Sequence, residues 1–177
     1  MSVNLRSAIR SIPDFPKPGI MFRDVTPLFG NPEAFRQAVD TLAAAFAAVK
    51  PSTIAAIESR GFVFGGALAY KLGLPFVPIR KAGKLPHATH RAEYELEYGK
   101  GVLEVHVDAI RPGDRVLLID DLVATGGTAA ASVELIRRLG GEVVGAGFLI
   151  ELSFLPWRKK LEGIPTECLI SYADENP

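Results

Sequence analysis

The 177-residue chain has one cysteine, one tryptophan and no excess of either charge. The single cysteine, Cys168, excludes an intramolecular disulfide and allows a reducing compartment. Lys and Arg total 20 residues and Asp and Glu also total 20, so no global basic field attracts nucleic acid. We therefore expect a cytoplasmic protein without a nucleic-acid partner.

Long hydrophobic runs are also missing. The longest apolar stretch, LAAAFAAV at 42–49, is too short to span a bilayer, and the opening MSVNLRSAIR contains no apolar core of a signal peptide. Hydrophobic residues make up 48% of the chain and charged residues 23%, which is typical of a globular domain with its own core. We expect a single domain over residues 1–177 and no membrane partner.

Apolar segments of strand length alternate with segments of helical spacing. The strand candidates are TIAAI (53–57), PFVPI (75–79), RVLLID (115–120) and EVVGAGFLI (142–150). Several are apolar on both faces, which is typical of strands buried in a parallel sheet. The sequence therefore predicts an α/β fold with a mainly parallel twisted sheet flanked by helices, in which ligands bind at the carboxyl ends of the strands.

The segment from Arg80 to about Arg91 is polar and has no apolar period. We predict a long loop there, and long loops in compact domains tend to be functional. EYELEYG (93–99) and VLEVHV (102–107) alternate after it, and both patterns predict strands.

The segment DDLVATGGT (120–128) lies between a predicted strand and a predicted helix. Gly126 and Gly127 permit positive φ and close approach of the backbone. The N–H groups of such a turn, the N-terminus of the next helix and the hydroxyl groups of Thr125 and Thr128 together form a site for a phosphate.

Two adjacent aspartates precede this turn. Asp120 and Asp121 would repel a phosphate, so they suit the vicinal hydroxyls of a sugar, or a metal, beside it. The nine residues together therefore predict a site for a ribose 5-phosphate. The alternative is an ordinary strand–loop–helix turn in which the aspartates only cap the helix.

This segment, with its strand, resembles the phosphoribosyl-pyrophosphate (PRPP) signature of type I phosphoribosyltransferases. Four further stretches are similar to the adenine phosphoribosyltransferase family, in that family's order: PDFPKPGIMFRDVTPLF (13–29), ESRGFVFG (58–65), PFVPIRKAGKLP (75–86) and YELEYG (94–99). The resemblance covers nearly the whole chain. It implies the type I phosphoribosyltransferase fold, with a base-binding hood over about residues 1–30 and a flexible catalytic loop over 80–98.

The resemblance also implies a reaction. A member of this family transfers the 5-phosphoribosyl group from PRPP to adenine, which gives AMP and pyrophosphate in purine salvage. It implies Mg²⁺ that arrives with PRPP, no metal site made by the protein alone and no organic cofactor. It further implies a homodimer, in which the basic loop can reach the neighbouring site.

The site residues are carried over from the matching motifs in four groups. The residues implied to bind PRPP and AMP are Asp120, Asp121, Ala124, Thr125, Gly126, Gly127 and Thr128. The residues implied to bind pyrophosphate are Ser59, Arg60, Arg80, Lys81 and Lys84. The residues implied to bind adenine are Met21, Phe22, Arg23 and Leu122. The catalytic residue is Glu97.

Each carried-over role has a simpler alternative. Phe22 and Leu122 would sandwich the purine, with the backbone C=O of Met21 and N–H of Arg23 at its polar edge, but a phenylalanine is often an ordinary core residue. The basic residues at 80–84 alone would suit a solvated cationic loop.

The acid in LEYG would handle the proton at N9 of adenine. Glu93, Glu95 and Glu97 share one face of a strand, so their spacing does not choose among them, and the simpler alternative is that all three form a solvated strand face. The resemblance selects Glu97, with Tyr98 as its neighbour. Trp157 and Cys168 are interpreted as packing residues.

Two other functions stay open from the sequence alone. One is a phosphoribosyltransferase for another purine base, because a 6-oxo base differs from adenine only in the donors and acceptors that the hood must offer. The other is a PRPP-sensing regulatory protein, which would need a basic face or an added segment to bind nucleic acid.

Overall fold

The computed structural model describes residues 3–95 and 100–176. Its α-helices are α1 Thr26–Phe29, α2 Pro32–Ala45, α3 Gly61–Leu72 and α4 Gly127–Arg138. Its strands are β1 Arg10–Ile12, β2 Phe22–Asp24, β3 Thr53–Ile57, β4 Phe76–Lys81, β5 Thr89–Glu95, β6 Lys100–His106, β7 Arg115–Val123, β8 Glu142–Leu152 and β9 Thr166–Tyr172. Short 3₁₀ helices span Leu5–Ala8, Ala47–Val49 and Trp157–Leu161.

The main sheet has the strand order β5-β6-β4-β3-β7-β8-β9. The pairs β3–β4, β3–β7, β7–β8 and β8–β9 are parallel, whereas β6 joins both β4 and β5 in antiparallel pairing. Five parallel strands thus carry an antiparallel hairpin at one edge. The predicted α/β class with a mainly parallel sheet is confirmed.

The two faces of the sheet are both buried, as the apolar strands predicted. Along β7, Leu117 and Ile119 pack into one core layer with α2 and α3. Val116 and Leu118, which alternate with them, pack into the other layer with α4 and the β5–β6 hairpin. No helix in the described part of the chain is both long and apolar enough to cross a bilayer.

Helix boundaries follow local chemistry. The side chain of Asn31 accepts the N–H groups of Glu33 and Ala34, both at 3.1 Å, and so caps α2, which begins at Pro32. Helix α3 ends at Gly73, whose φ of +65° is the left-handed conformation typical of a helix C-terminus. The predicted hood, in its described residues, contains α1 and the two-stranded sheet of β1 and β2.

The segment from Arg80 to about Arg91 that we predicted as a long loop is partly strand. Strand β4 extends to Lys81, and β5 begins at Thr89, so residues 82–88 form the irregular connection. Backbone pairing with β6 makes these strands, because Arg80 lies opposite Glu104 and β5 pairs along its length. The sequence of β5 has a weak apolar pattern because only Ala92 of this strand is buried in the core.

Candidate active site

A cavity of about 370 Å³ opens at the carboxyl ends of β3 and β7. This is the edge of the sheet that the sequence predicted for a ligand. The predicted site residues that line it are Ser59, Arg60, Lys81, Asp120, Asp121, Leu122, Ala124, Thr125, Gly126 and Thr128. Residues far apart in the sequence therefore meet at one site.

The turn at Gly126 is shaped by close backbone packing. Gly126 has a φ of +74° and precedes the first residue of α4. A Cβ atom on Gly126 would lie 3.1 Å from Cβ of Trp157 and 3.2 Å from its carbonyl oxygen, so the position has no room for a larger side chain. The N–H of Gly127 donates to Oγ1 of Thr125 at 3.5 Å. The turn thus presents the N-terminus of α4 at the cavity, as an anion site requires.

The two aspartates have different partners. Asp121 is buried and forms an ion pair with the guanidinium of Arg60. Asp120 accepts the N–H of Asp121 at 2.9 Å, and a Cβ on Gly61 would lie only 2.7 Å from its Oδ1. A glycine at the start of α3 therefore lets the Asp120 carboxylate lie against that helix.

These contacts move two pKa values. Burial, and then the neighbouring Asp121, raise the pKa of the Asp120 carboxyl well above its usual value. Burial lowers the pKa of Arg60, but the carboxylates of Asp121 and Asp120 raise it by a larger amount, so the net shift of this pKa is upward. The cavity thus holds the Arg60–Asp121 ion pair beside a carboxyl group, that of Asp120, whose pKa is raised.

Arg80 and Lys84 are both held by one glutamate, Glu58. Nε of Arg80 lies 2.8 Å from Oε2 of Glu58, and Nζ of Lys84 lies 3.2 Å from Oε1 of the same side chain. Nη1 of Arg80 also donates to the backbone oxygen of Lys84 at 3.1 Å. Burial raises the pKa of Glu58, but the hydrogen bonds from Arg80 and Lys84 lower it more.

Phe22 of the hood does not line this cavity itself, but it contacts Arg60, which does. Its ring packs edge-on against Phe15 at 5.1 Å, and the guanidinium of Arg60 lies 5.5 Å from its centroid. The Arg23 side chain is buried elsewhere: it stacks on Tyr172 at 3.8 Å and donates to Ser11. Only the backbone of Arg23 is therefore available for the predicted contact with adenine.

Comparison with known proteins identifies this arrangement. The phosphoribosyl transferase domain matches residues 29–159 of the chain. The adenine phosphoribosyltransferase of Agrobacterium fabrum is 56% identical over 96% of this chain and 95% of its own length. The chain belongs to the adenine phosphoribosyltransferase family. The adenine phosphoribosyltransferase of Carboxydothermus hydrogenoformans is 54% identical over 96% of this chain and 100% of its own length.

Solved structures of adenine phosphoribosyltransferases have the same fold. The structure from Thermoanaerobacter pseudethanolicus matches with a TM-score of 0.93 at 52% identity, over 95% of this chain and 98% of that one. The structure from Saccharomyces cerevisiae is a complex with an imino-altritol bisphosphate and adenine. It matches with a TM-score of 0.88 at 44% identity, over 93% of this chain and 96% of that one. The predicted family, fold and enzyme class are confirmed.

Tyr94 is a cavity residue that the sequence analysis did not identify. It lines the cavity, where burial and then Glu58 raise its pKa, although a hydrogen bond to Thr128 lowers it. Tyr94 lies opposite Gly101 of β6, and a Cβ there would lie 2.3 Å from Cζ of the tyrosine ring. The glycine makes room for the ring. Glu97 and Tyr98 lie outside the described residues.

Glu104 of β6 was also missed. Its side chain is 1% exposed, and it accepts the N–H groups of Lys84 at 3.0 Å and Leu85 at 3.1 Å. Nε of Arg91 lies 3.3 Å from its second oxygen. The signal was an acid between two buried apolar residues in VLEVHV, which indicates a carboxylate with partners. Glu104 fixes the backbone of the basic loop.

The raised pKa of Asp120 leads to a prediction on stability. The folded chain holds the Asp120 proton more tightly than the unfolded chain, so this group costs stability as the pH rises above about 4, the unfolded value. Asp120→Asn should therefore melt a few degrees higher than wild type at pH 7, with the gain vanishing toward pH 4, and should bind PRPP more weakly. Thermal melts followed by circular dichroism, with calorimetric titration of PRPP, measure both effects.

Asp121→Asn is the matched control, since it removes the partner of Arg60. It should lower the melting temperature at pH 7 and also weaken PRPP binding. Equal shifts of the melting temperature in the two variants would contradict the different roles of the two carboxylates.

Proposed function

We propose that this enzyme transfers the 5-phosphoribosyl group from PRPP to adenine through the residues that meet at the cavity. The observation that supports this is that the Gly126 turn, the Asp120–Asp121 pair and Arg60 line one cavity. The ring centroid of Phe22 lies 5.5 Å from the guanidinium of Arg60. A phosphate site, a sugar site and a cation for the leaving group lie side by side. That is the order in which the parts of PRPP are joined.

The turn and the aspartates would hold the phosphoribosyl group. The 5′-phosphate accepts hydrogen bonds from N–H groups of residues 124–128 and from the hydroxyls of Thr125 and Thr128. Asp120 and Asp121 accept hydrogen bonds from the ribose hydroxyls. Orientation of the sugar in this way fixes its reacting carbon relative to adenine.

The basic residues would bind the pyrophosphate. Ser59 and Arg60 follow β3, and Arg80, Lys81 and Lys84 come from the end of β4 and its loop. Negative charge grows on the leaving group as its bond to ribose breaks, and preorganised cations stabilise that charge. These residues therefore stabilise the leaving group as the bond breaks.

Adenine would bind between Phe22 and Leu122. The backbone C=O of Met21 accepts from the amino group, and the N–H of Arg23 donates to N1. Glu97 would hold the proton that N9 must lose, or its equivalent at N7. These backbone contacts set the specificity, because a 6-oxo base presents a donor at N1 and an acceptor at position 6.

Mg²⁺ fits this site as a companion of PRPP. Within residues 3–95 and 100–176, no three His, Cys, Asp or Glu side chains are grouped to hold a metal ion. The adjacent carboxylates of Asp120 and Asp121 suit a cation whose other ligands are phosphate and ribose oxygens. When bound, Mg²⁺ neutralises charge on the pyrophosphate.

A homodimer is supported by an apolar patch on α3. Val63, Gly66 and Tyr70 have helical spacing along α3, and Tyr70 is 92% exposed. A second copy of the chain would cover this patch. Light scattering should give twice the 19.0 kDa mass of one chain, and a monomeric mass at assay concentration would refute the dimer.

A cytoplasmic location fits the free thiol of Cys168, which is stable in a reducing compartment. Fractionation of cells followed by immunoblotting tests it. Recovery of the protein outside the cytoplasmic fraction would refute this location.

A panel of bases tests the function. Adenine, hypoxanthine, guanine and xanthine are each incubated with PRPP and Mg²⁺, and nucleotide formation is followed. Adenine should be preferred over hypoxanthine by at least about 10²-fold in kcat/KM, since mismatched buried polar groups each cost about 1–3 kcal/mol. Comparable values for the two bases would contradict the adenine contacts, and no nucleotide from any base would contradict the reaction.

A further inference from the structure

The cations proposed to bind pyrophosphate already have carboxylate partners in the chain itself. Arg60 pairs with Asp121, and Arg80 and Lys84 pair with the two oxygens of Glu58. Pyrophosphate must therefore compete with internal anions for its binding groups.

Asp121 has a use on the ligand, but Glu58 has none in the scheme above. The carboxylate of Asp121 faces ribose hydroxyls, which donate hydrogen bonds. Glu58 lines the cavity next to Ser59 and Arg60, where the multiply charged pyrophosphate would bind. Its side chain is 6% exposed, so the repulsion between two anions there is poorly screened by water.

We propose that Glu58 is an internal counter-anion that competes with pyrophosphate for Arg80 and Lys84. It weakens the binding of pyrophosphate and takes the two cations back when the product leaves. This inference rests on the proposed function, because it takes pyrophosphate as the ligand of these cations.

The anchoring of the loop makes such an exchange of partners feasible. Glu104 holds the backbone N–H groups of Lys84 and Leu85, so the loop stays in place when the cationic heads leave Glu58. The side chains of Arg80 and Lys84 are 34% and 51% exposed, so they have room to rotate. The two carboxylates therefore have different roles. Glu104 fixes the backbone of the loop, and Glu58 binds the charged groups of Arg80 and Lys84.

The exchange matters for turnover because release of product limits the rate of many enzymes. Three or four cations fixed around pyrophosphate would bind the product as tightly as the transition state. A carboxylate within reach of two of them lowers the affinity for the product, because it supplies an alternative partner for each cation.

The test measures pyrophosphate binding to the full chain in the presence of Mg²⁺ by isothermal titration calorimetry. Glu58→Gln removes the charge and keeps the shape of the side chain. It should lower the Kd for pyrophosphate about tenfold, as expected for about 1.4 kcal/mol of lost competition, and should slow pyrophosphate dissociation in stopped-flow measurements. A purely structural role would give the opposite sign, because disordered cations bind pyrophosphate more weakly.

Glu104→Gln is the matched control, because it changes a buried carboxylate that contacts the same loop through its backbone. It should bind pyrophosphate more weakly than wild type. If Glu58→Gln melts below the assay temperature, Glu58→Met, which is neutral and suits a buried position, replaces it. An unchanged or higher Kd in the neutral variant overturns the inference, whereas a wild-type enzyme that binds no pyrophosphate contradicts the proposed function itself.

Discussion

Gly126→Val should lower the affinity for PRPP by at least about 10²-fold, since two or three charge-assisted hydrogen bonds at about 1.5–3 kcal/mol each would be lost. Gly126 has a φ of +74°, which a β-branched residue adopts only with strain. A side chain there would also press on Trp157, whose backbone lies within 3.3 Å of the Cβ position. The turn would open, and its N–H groups would no longer converge on the phosphate.

Gly73→Val is the control that separates the loss of PRPP binding from the effect of backbone strain. Gly73 has a similar φ of +65°, but a Cβ there would meet nothing within 4 Å, and it does not line the cavity. Both variants should melt at lower temperature than wild type, and only Gly126→Val should lose PRPP in calorimetric titrations. Normal PRPP affinity in Gly126→Val would show that the phosphate binds elsewhere.

The sheet and its ligand edge could be predicted because their signals are local. TIAAI and VLLI are apolar on both faces, and only a strand between two helical layers buries every residue of such a run. The glycines and aspartates of 120–128 combine turn chemistry with charge in one short segment. Each of these predictions depends only on residues that are close together in the sequence.

The contacts that organise the basic loop could not be predicted in this way. Glu58 meets Arg80 because β3 and β4 are parallel neighbours, and Glu104 meets Lys84 because β6 joins the other side of β4. The first part of β5, residues 89–92, lacked an apolar pattern because β5 is an edge strand in which only Ala92 is buried in the core. The position of the Arg23 side chain depends on stacking against Tyr172, which lies near the other end of the chain.

Glu97→Gln should lower kcat by about 10²–10⁴-fold, which is the usual contribution of a positioned proton transfer. Adenine must lose the N9 proton, or react as the N7-protonated tautomer, and a carboxylate at the imidazole edge assists either route. Glutamine keeps the size of the side chain but cannot hold that proton. The affinity for PRPP should stay near wild type, because Glu97 is proposed to contact the base and not the sugar.

The neighbouring acids are the controls for this variant. Glu93 is exposed and pairs with Lys100 at 2.9 Å, and Glu95 is also exposed, although Tyr94 between them lines the cavity. Glu93→Gln and Glu95→Gln should therefore keep the wild-type kcat. Single-turnover experiments isolate the chemical step from product release. If that step is as fast in Glu97→Gln as in wild type, the proton is handled by another group, and Asp121 or solvent becomes the next candidate to test.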